Sequence, residues 1–162
     1  MLKNAIKNKK ITVGVIGLGY VGLPTALALT ETGIKVIGIE VDKAKVKKLN
    51  TDKSIPHKKF TATSNFAEIK KCKVILIAVP TPITKNKTPD VSAIESAVKN
   101  IAKHFSKNSL VILESTTYPG TTEELVKPIL EKSGKVAGRD FYLAYAPERI
   151  DPGNKDYSFT DI

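Results

Sequence analysis

The segment Gly17-Leu18-Gly19-Tyr20-Val21-Gly22 limits what this chain can fold into more than any other stretch, because it separates a β-branched run from a stretch of helical composition. Ile11, Val13, Val15 and Ile16 lead into it, residues 23–32 lead out of it, and Gly33 marks the end of the helix. A second apolar run, residues 36–39, closes on Glu40. A bare G-x-G-x-x-G says little. With a strand before it, a helix after it and an acidic residue about 20 positions on, it describes a strand–turn–helix–strand unit able to hold the phosphates of a dinucleotide.

Each glycine has its own task in such a unit. Gly17 permits the tight turn, Gly19 keeps a Cβ out of the path of a pyrophosphate, and Gly22 lets the helix lie close to the strand. The amides around Tyr20 and Val21 then face the phosphates at the positive end of the helix. Pro24 is compatible with that position, since the first helical turn has no intrahelical acceptor for its N–H groups. Glu40 is placed to accept hydrogen bonds from the adenosine ribose hydroxyls, and its charge repels a 2′-phosphate, which predicts NAD rather than NADP. The plainer reading, a glycine-rich turn in an α/β domain with no ligand, is disfavoured by this full context.

Further along, Asp42 is expected to cap a short helix over residues 43–49, and residues 60–63 to add a short strand. A helical turn over 65–71 leads to 74–79, a continuous apolar run of the kind buried on both faces of a sheet, which stops at Pro80-Thr81-Pro82. Residues 83–89 read as a polar loop. Asp90 then caps a helix carrying Val91, Ile94, Val98 and Ile101 at helical spacing. Residues 110–113 form the next strand and 114–120 a turn. Thr121 or Thr122 begins a helix that runs to about residue 132 and is bent by Pro128, and 141–145 is the last strand. Residues 1–10 are polar and expected to fray, leaving 11–162 as one domain. Strands alternating with helices predict an α/β fold: a Rossmann-type doubly wound parallel sheet of at least five strands, with helices on both faces.

Composition narrows the function. The net charge of +10 raises nucleic acid as a partner, but every basic residue other than Arg139 and Arg149 is a lysine, spread along the whole chain without aromatic platforms. That pattern describes a solvated surface and predicts no nucleic-acid binding. Cys72 is the single cysteine, so no internal disulfide, redox pair or thiolate metal cluster is available, and no metal is expected. No apolar run approaches the roughly 20 residues of a membrane span, and the lysine-rich start lacks the apolar core of a signal peptide. A soluble, cytoplasmic protein is predicted.

In a doubly wound sheet, ligands sit beyond the carboxyl ends of the strands. The segments at those ends are the glycine turn, Glu40, Pro80-Thr81-Pro82, Ser115-Thr116-Thr117 and Pro147-Glu148-Arg149. Singly, these hydroxyls are ordinary turn residues. Together at one crevice, Pro80, Thr81, Ser115 and Thr116 form the wall beside a nicotinamide. Glu148 and Arg149 are either a surface ion pair or part of the site, where Glu148 orients or deprotonates water and Arg149 meets an anionic substrate such as a diphosphate.

Four ordered motifs carry a resemblance over nearly the whole chain from Ile11 onward: Gly17-Leu-Gly-Tyr-Val-Gly-Leu-Pro24, Val79-Pro-Thr-Pro82, Glu114-Ser-Thr116 and Pro147-Glu-Arg-Ile-Asp-Pro-Gly153. They resemble the N-terminal NAD-binding domain of the UDP-glucose/GDP-mannose dehydrogenase family. Members oxidise a sugar C6 hydroxyl to a carboxylate in two NAD-dependent steps, through an aldehyde and a cysteine thioester. The Pro-Glu-Arg form is similar to the UDP-N-acetylhexosamine branch rather than to the branches with Pro-Glu-Phe-Leu. The resemblance implies NAD contacts for Tyr20, Val21, Glu40, Lys45, Thr81 and Thr116, nucleotide-sugar contacts for Arg149 and Ile150, and a part in thioester hydrolysis for Glu148. It also implies a UDP-sugar substrate and a homodimeric full-length protein. Glu40 stands where the family more often has Asp. The nucleophilic cysteine belongs to a later domain that this chain does not include, and Cys72, just ahead of a buried strand, is expected to be structural. Two other functions are distinguishable: a free-standing dinucleotide-binding module, which would lack a cysteine-bearing second domain, and another Rossmann enzyme such as a 2-hydroxyacid dehydrogenase, against which the Pro-Glu-Arg motif speaks.

Overall fold

The β-branched and aliphatic runs become six parallel strands in the computed structural model, which describes residues 2–147. They are β1 (Thr12–Ile16), β2 (Lys35–Ile39), β3 (Phe60–Thr63), β4 (Val74–Ile77), β5 (Leu110–Leu113) and β6 (Tyr142–Tyr145). The order across the sheet is β3-β2-β1-β4-β5-β6, so the chain winds outward from β1 in one direction, crosses to β4, and winds outward in the other. Register is continuous through the centre: Ile16 lies opposite Ile39 on β2 and Ile77 on β4, and Ile77 lies opposite Leu113. The carboxyl ends of β2, β1, β4 and β5 therefore form one edge, with the reversal of winding between β1 and β4.

The helices cover both faces, as right-handed crossovers require. α2 (Gly22–Glu31) and α3 (Lys43–Thr51) lie on one face, where Ala26 and Leu49 join Val13, Val15, Val36, Phe60, Val74 and Leu76. α4 (Ser92–His104) and α5 (Lys127–Glu131) lie on the other, where Ile94, Val98, Ile101, Ile129 and Leu130 meet Ile37, Ile39, Ile75, Ile77, Val111 and Leu113. Removing this much aliphatic surface from water is the main stabilising term.

Four details differ from the sequence reading. Residues 2–7, expected to fray, form α1 (Leu2–Lys7); none of its residues is buried, but Ala5 packs against the α2 face and the Lys9 ammonium donates to the Thr32 carbonyl at 2.7 Å. Residues 83–89 are not merely a loop, since Ile83 and Pro89 form an antiparallel bridge. Asp90 lies one residue outside the N-cap position of α4, which Val91 occupies, yet its carboxylate accepts the Ser92 amide at 2.9 Å. Pro128 does not bend one uniform helix. The turn ahead of it, Thr122–Val126, is π-helical, and the Lys127 amide reaches back to the Thr122 carbonyl. Proline has no N–H to give the carbonyl four residues back, so the ladder shifts register where that donor is missing.

Candidate dinucleotide-binding site

The turn after β1 is built by close backbone approach. Gly17 has φ +88°, and a Cβ there would lie 2.7 Å from the Ala78 carbonyl oxygen. A Cβ on Gly22 would meet the Gly17 carbonyl at 1.9 Å and the Ala78 side chain at 3.2 Å. Glycine is required at both positions by contact inside the protein, where the start of α2 presses on the end of β4. Gly19 differs, because a Cβ there would meet nothing within 4 Å. That space opens outward beside Tyr20, which is 72% exposed. Among the described residues, no backbone acceptor takes the amides of Gly19, Tyr20 and Val21. An open cradle with unclaimed amides at a helix N-terminus suits an anionic diphosphate.

Glu40 follows β2 directly, beside this turn, and its side chain is only 12% exposed. Oε1 accepts the amides of Val41 (2.8 Å) and Asp42 (3.3 Å), while Oε2 accepts the Leu18 amide at 3.3 Å and lies 3.2 Å from the Lys45 ammonium. Burial pushes the carboxyl's pKa up, but the hydrogen bonds from Asp42 and Lys45, the Lys45 charge and the Leu18 amide outweigh it and hold the group below its ordinary value. Glu40 is therefore ionised at neutral pH and tied to the glycine turn. Lys45 reaches it because Asp42 caps α3, accepting the amides of Ala44 (2.8 Å) and Lys45 (3.2 Å).

On the other side of the turn, the chain after β4 meets the chain after β5. The Thr81 hydroxyl donates to the Thr116 carbonyl at 2.5 Å, and the Ser115 hydroxyl donates to the Val79 carbonyl at 2.8 Å and the Ile77 carbonyl at 3.2 Å. Pro80 and Thr116 are exposed, Thr81 is half-buried and Ser115 is buried. The structure thus brings Gly17, Gly19, Tyr20, Val21, Gly22, Glu40, Lys45, Pro80, Thr81, Ser115 and Thr116 to one sheet edge. Glu148, Arg149 and Ile150 lie outside the described residues. Three contributors escaped the sequence reading. Ala78 bears on Gly17 and Gly22, Leu18 gives its amide to Glu40, and Gly38 leaves the space that the buried Leu18 side chain occupies. A small residue ending an apolar strand and a glycine inside a strand were the available signals.

Cys72 does not belong to this edge. It is fully buried ahead of β4, and burial, reinforced by Glu68, pushes its thiol up to about 12, so it carries no thiolate at neutral pH. Among the described residues there is no cluster of metal-binding side chains, and no helix is long and apolar enough to cross a membrane.

A doubly wound parallel sheet with a phosphate cradle at its switch point and a carboxylate at the end of its second strand is a dinucleotide-binding domain. The sequence model of the UDP-glucose/GDP-mannose dehydrogenase family, NAD binding domain, matches residues 11–161. The chain belongs to this family, and NAD is its cofactor. It is 38% identical to the UDP-N-acetyl-D-glucosamine 6-dehydrogenase of Pseudomonas aeruginosa over 95% of this chain and 39% of that enzyme. It is 41% identical to protein CapL of Staphylococcus aureus over 93% of this chain and 38% of that protein. The solved UDP-D-ManNAc dehydrogenase of Pyrococcus horikoshii superposes with a TM-score of 0.80 at 35% identity, covering 88% of this chain and 37% of that one. The chain thus spans 37–39% of the length of these relatives.

Proposed function

We propose that this chain is the NAD-holding part of a UDP-N-acetylhexosamine 6-dehydrogenase, which oxidises the sugar C6 hydroxyl to a carboxylate with two NAD. The observation that carries the cofactor half is the open space over Gly19, bordered by unclaimed amides and the ionised Glu40. The relatives' names and the Pro147-Glu148-Arg149 motif support the substrate half. Bound NAD supplies the hydride acceptor. The amides of Tyr20 and Val21 hold its diphosphate, Glu40 accepts the adenosine ribose hydroxyls with Lys45 beside it, and Pro80, Thr81 and Thr116 form the wall of the nicotinamide half, with Ser115 buried behind them. Arg149 and Ile150 contact the nucleotide sugar, and Glu148 orients the water that releases the acid.

Taking an alcohol to a carboxylate removes four electrons and adds the oxygen of one water, which accounts for two NAD per sugar. Cys72, buried and protonated, is unsuited to capture the intermediate aldehyde as a thioester, so the nucleophilic thiol is assigned to sequence outside this chain. We place the complete protein in the cytoplasm as a homodimer, in keeping with its family and with the single cysteine of this chain. The test is an assay of the chain extended to the length of its relatives, with NAD and either UDP-GlcNAc, UDP-ManNAc or UDP-glucose. Two NADH per N-acetylhexosamine are expected; turnover of UDP-glucose alone, or of no sugar, overturns the substrate assignment.

A further inference from the structure

Once the chain leaves β4 it also leaves the sheet's hydrogen-bond ladder. The Ala78 amide still donates to the Ile16 carbonyl at 2.9 Å, but among the described residues no backbone–backbone bond involves residues 79–81. Two hydroxyls, pointing in opposite directions, tie this segment to the end of β5. Ser115, 6% exposed, donates to the Val79 carbonyl, and Thr81 donates back to the Thr116 carbonyl. Ser115 itself is fixed from below, where its amide donates to the Ile77 carbonyl at 3.1 Å. A hydroxyl has one proton, so Ser115 spends its donor inside the protein on Val79 and Ile77.

We propose that Ser115 is a positioning residue for the nicotinamide half of the site rather than a contact to the cofactor. By holding the Val79 carbonyl it sets the path of residues 79–81, which places the Thr81 hydroxyl against Thr116. The same bond consumes the proton of Thr81, so Thr81 faces a ligand as an acceptor. Without the Ser115 hydroxyl, the Val79 carbonyl loses its partner and the segment keeps one tie of two. The glycine turn bears on this strand end at Ala78, whose amide is held by the Ile16 carbonyl without Ser115, and Glu40 lies across β1, so the adenosine half uses neither hydroxyl bond of the staple.

This inference rests on the NAD reading, and the experiment separates the two. Titration calorimetry on the chain compares NAD with ADP, which carries the adenosine and both phosphates but not the nicotinamide half. Ser115→Ala is expected to weaken NAD about tenfold while leaving ADP within about twofold, the size of loss that one structural hydrogen bond brings. Ser115→Cys, of similar size but a weak donor, should fall between, and it carries the comparison if the alanine variant fails to fold by far-UV dichroism. An equal loss for NAD and ADP would show a general structural role and overturn the proposal. An unchanged NAD affinity overturns it as well. If the unsubstituted chain binds neither ligand, the NAD reading itself fails and takes this inference with it.

Discussion

At the scale of single residues, Gly19 and Glu40 give the sharpest expectations. Space around Gly19 is open on the protein side, so a side chain there disturbs the ligand and not the fold. Gly19→Val should abolish NAD binding with the far-UV spectrum and melting temperature nearly unchanged; retained affinity would mean that the loop is only a turn. The same substitution at Gly22 would strike the Gly17 carbonyl and is expected to destabilise the fold itself. Glu40 should set cofactor choice, with NAD bound more tightly than NADP and the gap narrowed in Glu40→Ala, because Lys45 then faces the 2′-phosphate without a competing carboxylate. Equal affinities in the unsubstituted chain would refute this. The pH dependence follows from the depressed carboxyl. A group with a lower pKa folded than unfolded stabilises the fold above its unfolded value, and that contribution is lost as pH falls through the folded one. NAD affinity should thus be flat from pH 8 to about 5 and decline in more acidic solution, while Glu40→Gln, with no charge to lose, declines less.

At the scale of elements, the outcome turned on how segments meet. The short 3-10 turn Phe66–Lys71 delivers Cys72 against β1, where a Cβ on Gly14 would lie 3.0 Å from the sulfur. That packing makes the thiol a core side chain. An aromatic disulfide reagent at pH 8 should leave Cys72 unmodified in the folded chain and release one equivalent per chain after denaturation; rapid reaction in the native state would reopen a chemical role for it. Alternation of apolar runs and helical stretches was enough to place β1 to β6, α2 and α3, because both periodicities are local. The π-helical turn was not legible in the same way. A missing proline donor predicts a disturbance, but whether the helix bends or re-registers depends on what packs around it, here the buried Val126 and Leu130.

At the scale of the whole molecule, the chain should bind NAD yet leave UDP-GlcNAc, UDP-ManNAc and UDP-glucose unoxidised. Its own thiol is buried and protonated, and a sugar held by residues of this chain alone would not be fixed against the nicotinamide. NADH absorbance should stay at background at high protein concentration while calorimetry registers NAD; reduction of two equivalents per sugar by this chain would return Cys72 to consideration. What the sequence by itself determined is the fold class, the glycine turn between the first strand and its helix, and the family, because each is written in residues close together in the chain or in motifs in fixed order. Only the tertiary structure decided that Glu40 is held by Leu18 and Lys45, that Ala78 bears on the glycine turn, and that the Ser115 hydroxyl takes the Val79 carbonyl while the Thr81 hydroxyl takes that of Thr116. The two hydroxyl pairings join residues 35 and 36 positions apart across neighbouring strands, and a hydroxyl's partner is settled by which carbonyl the sheet brings beside it.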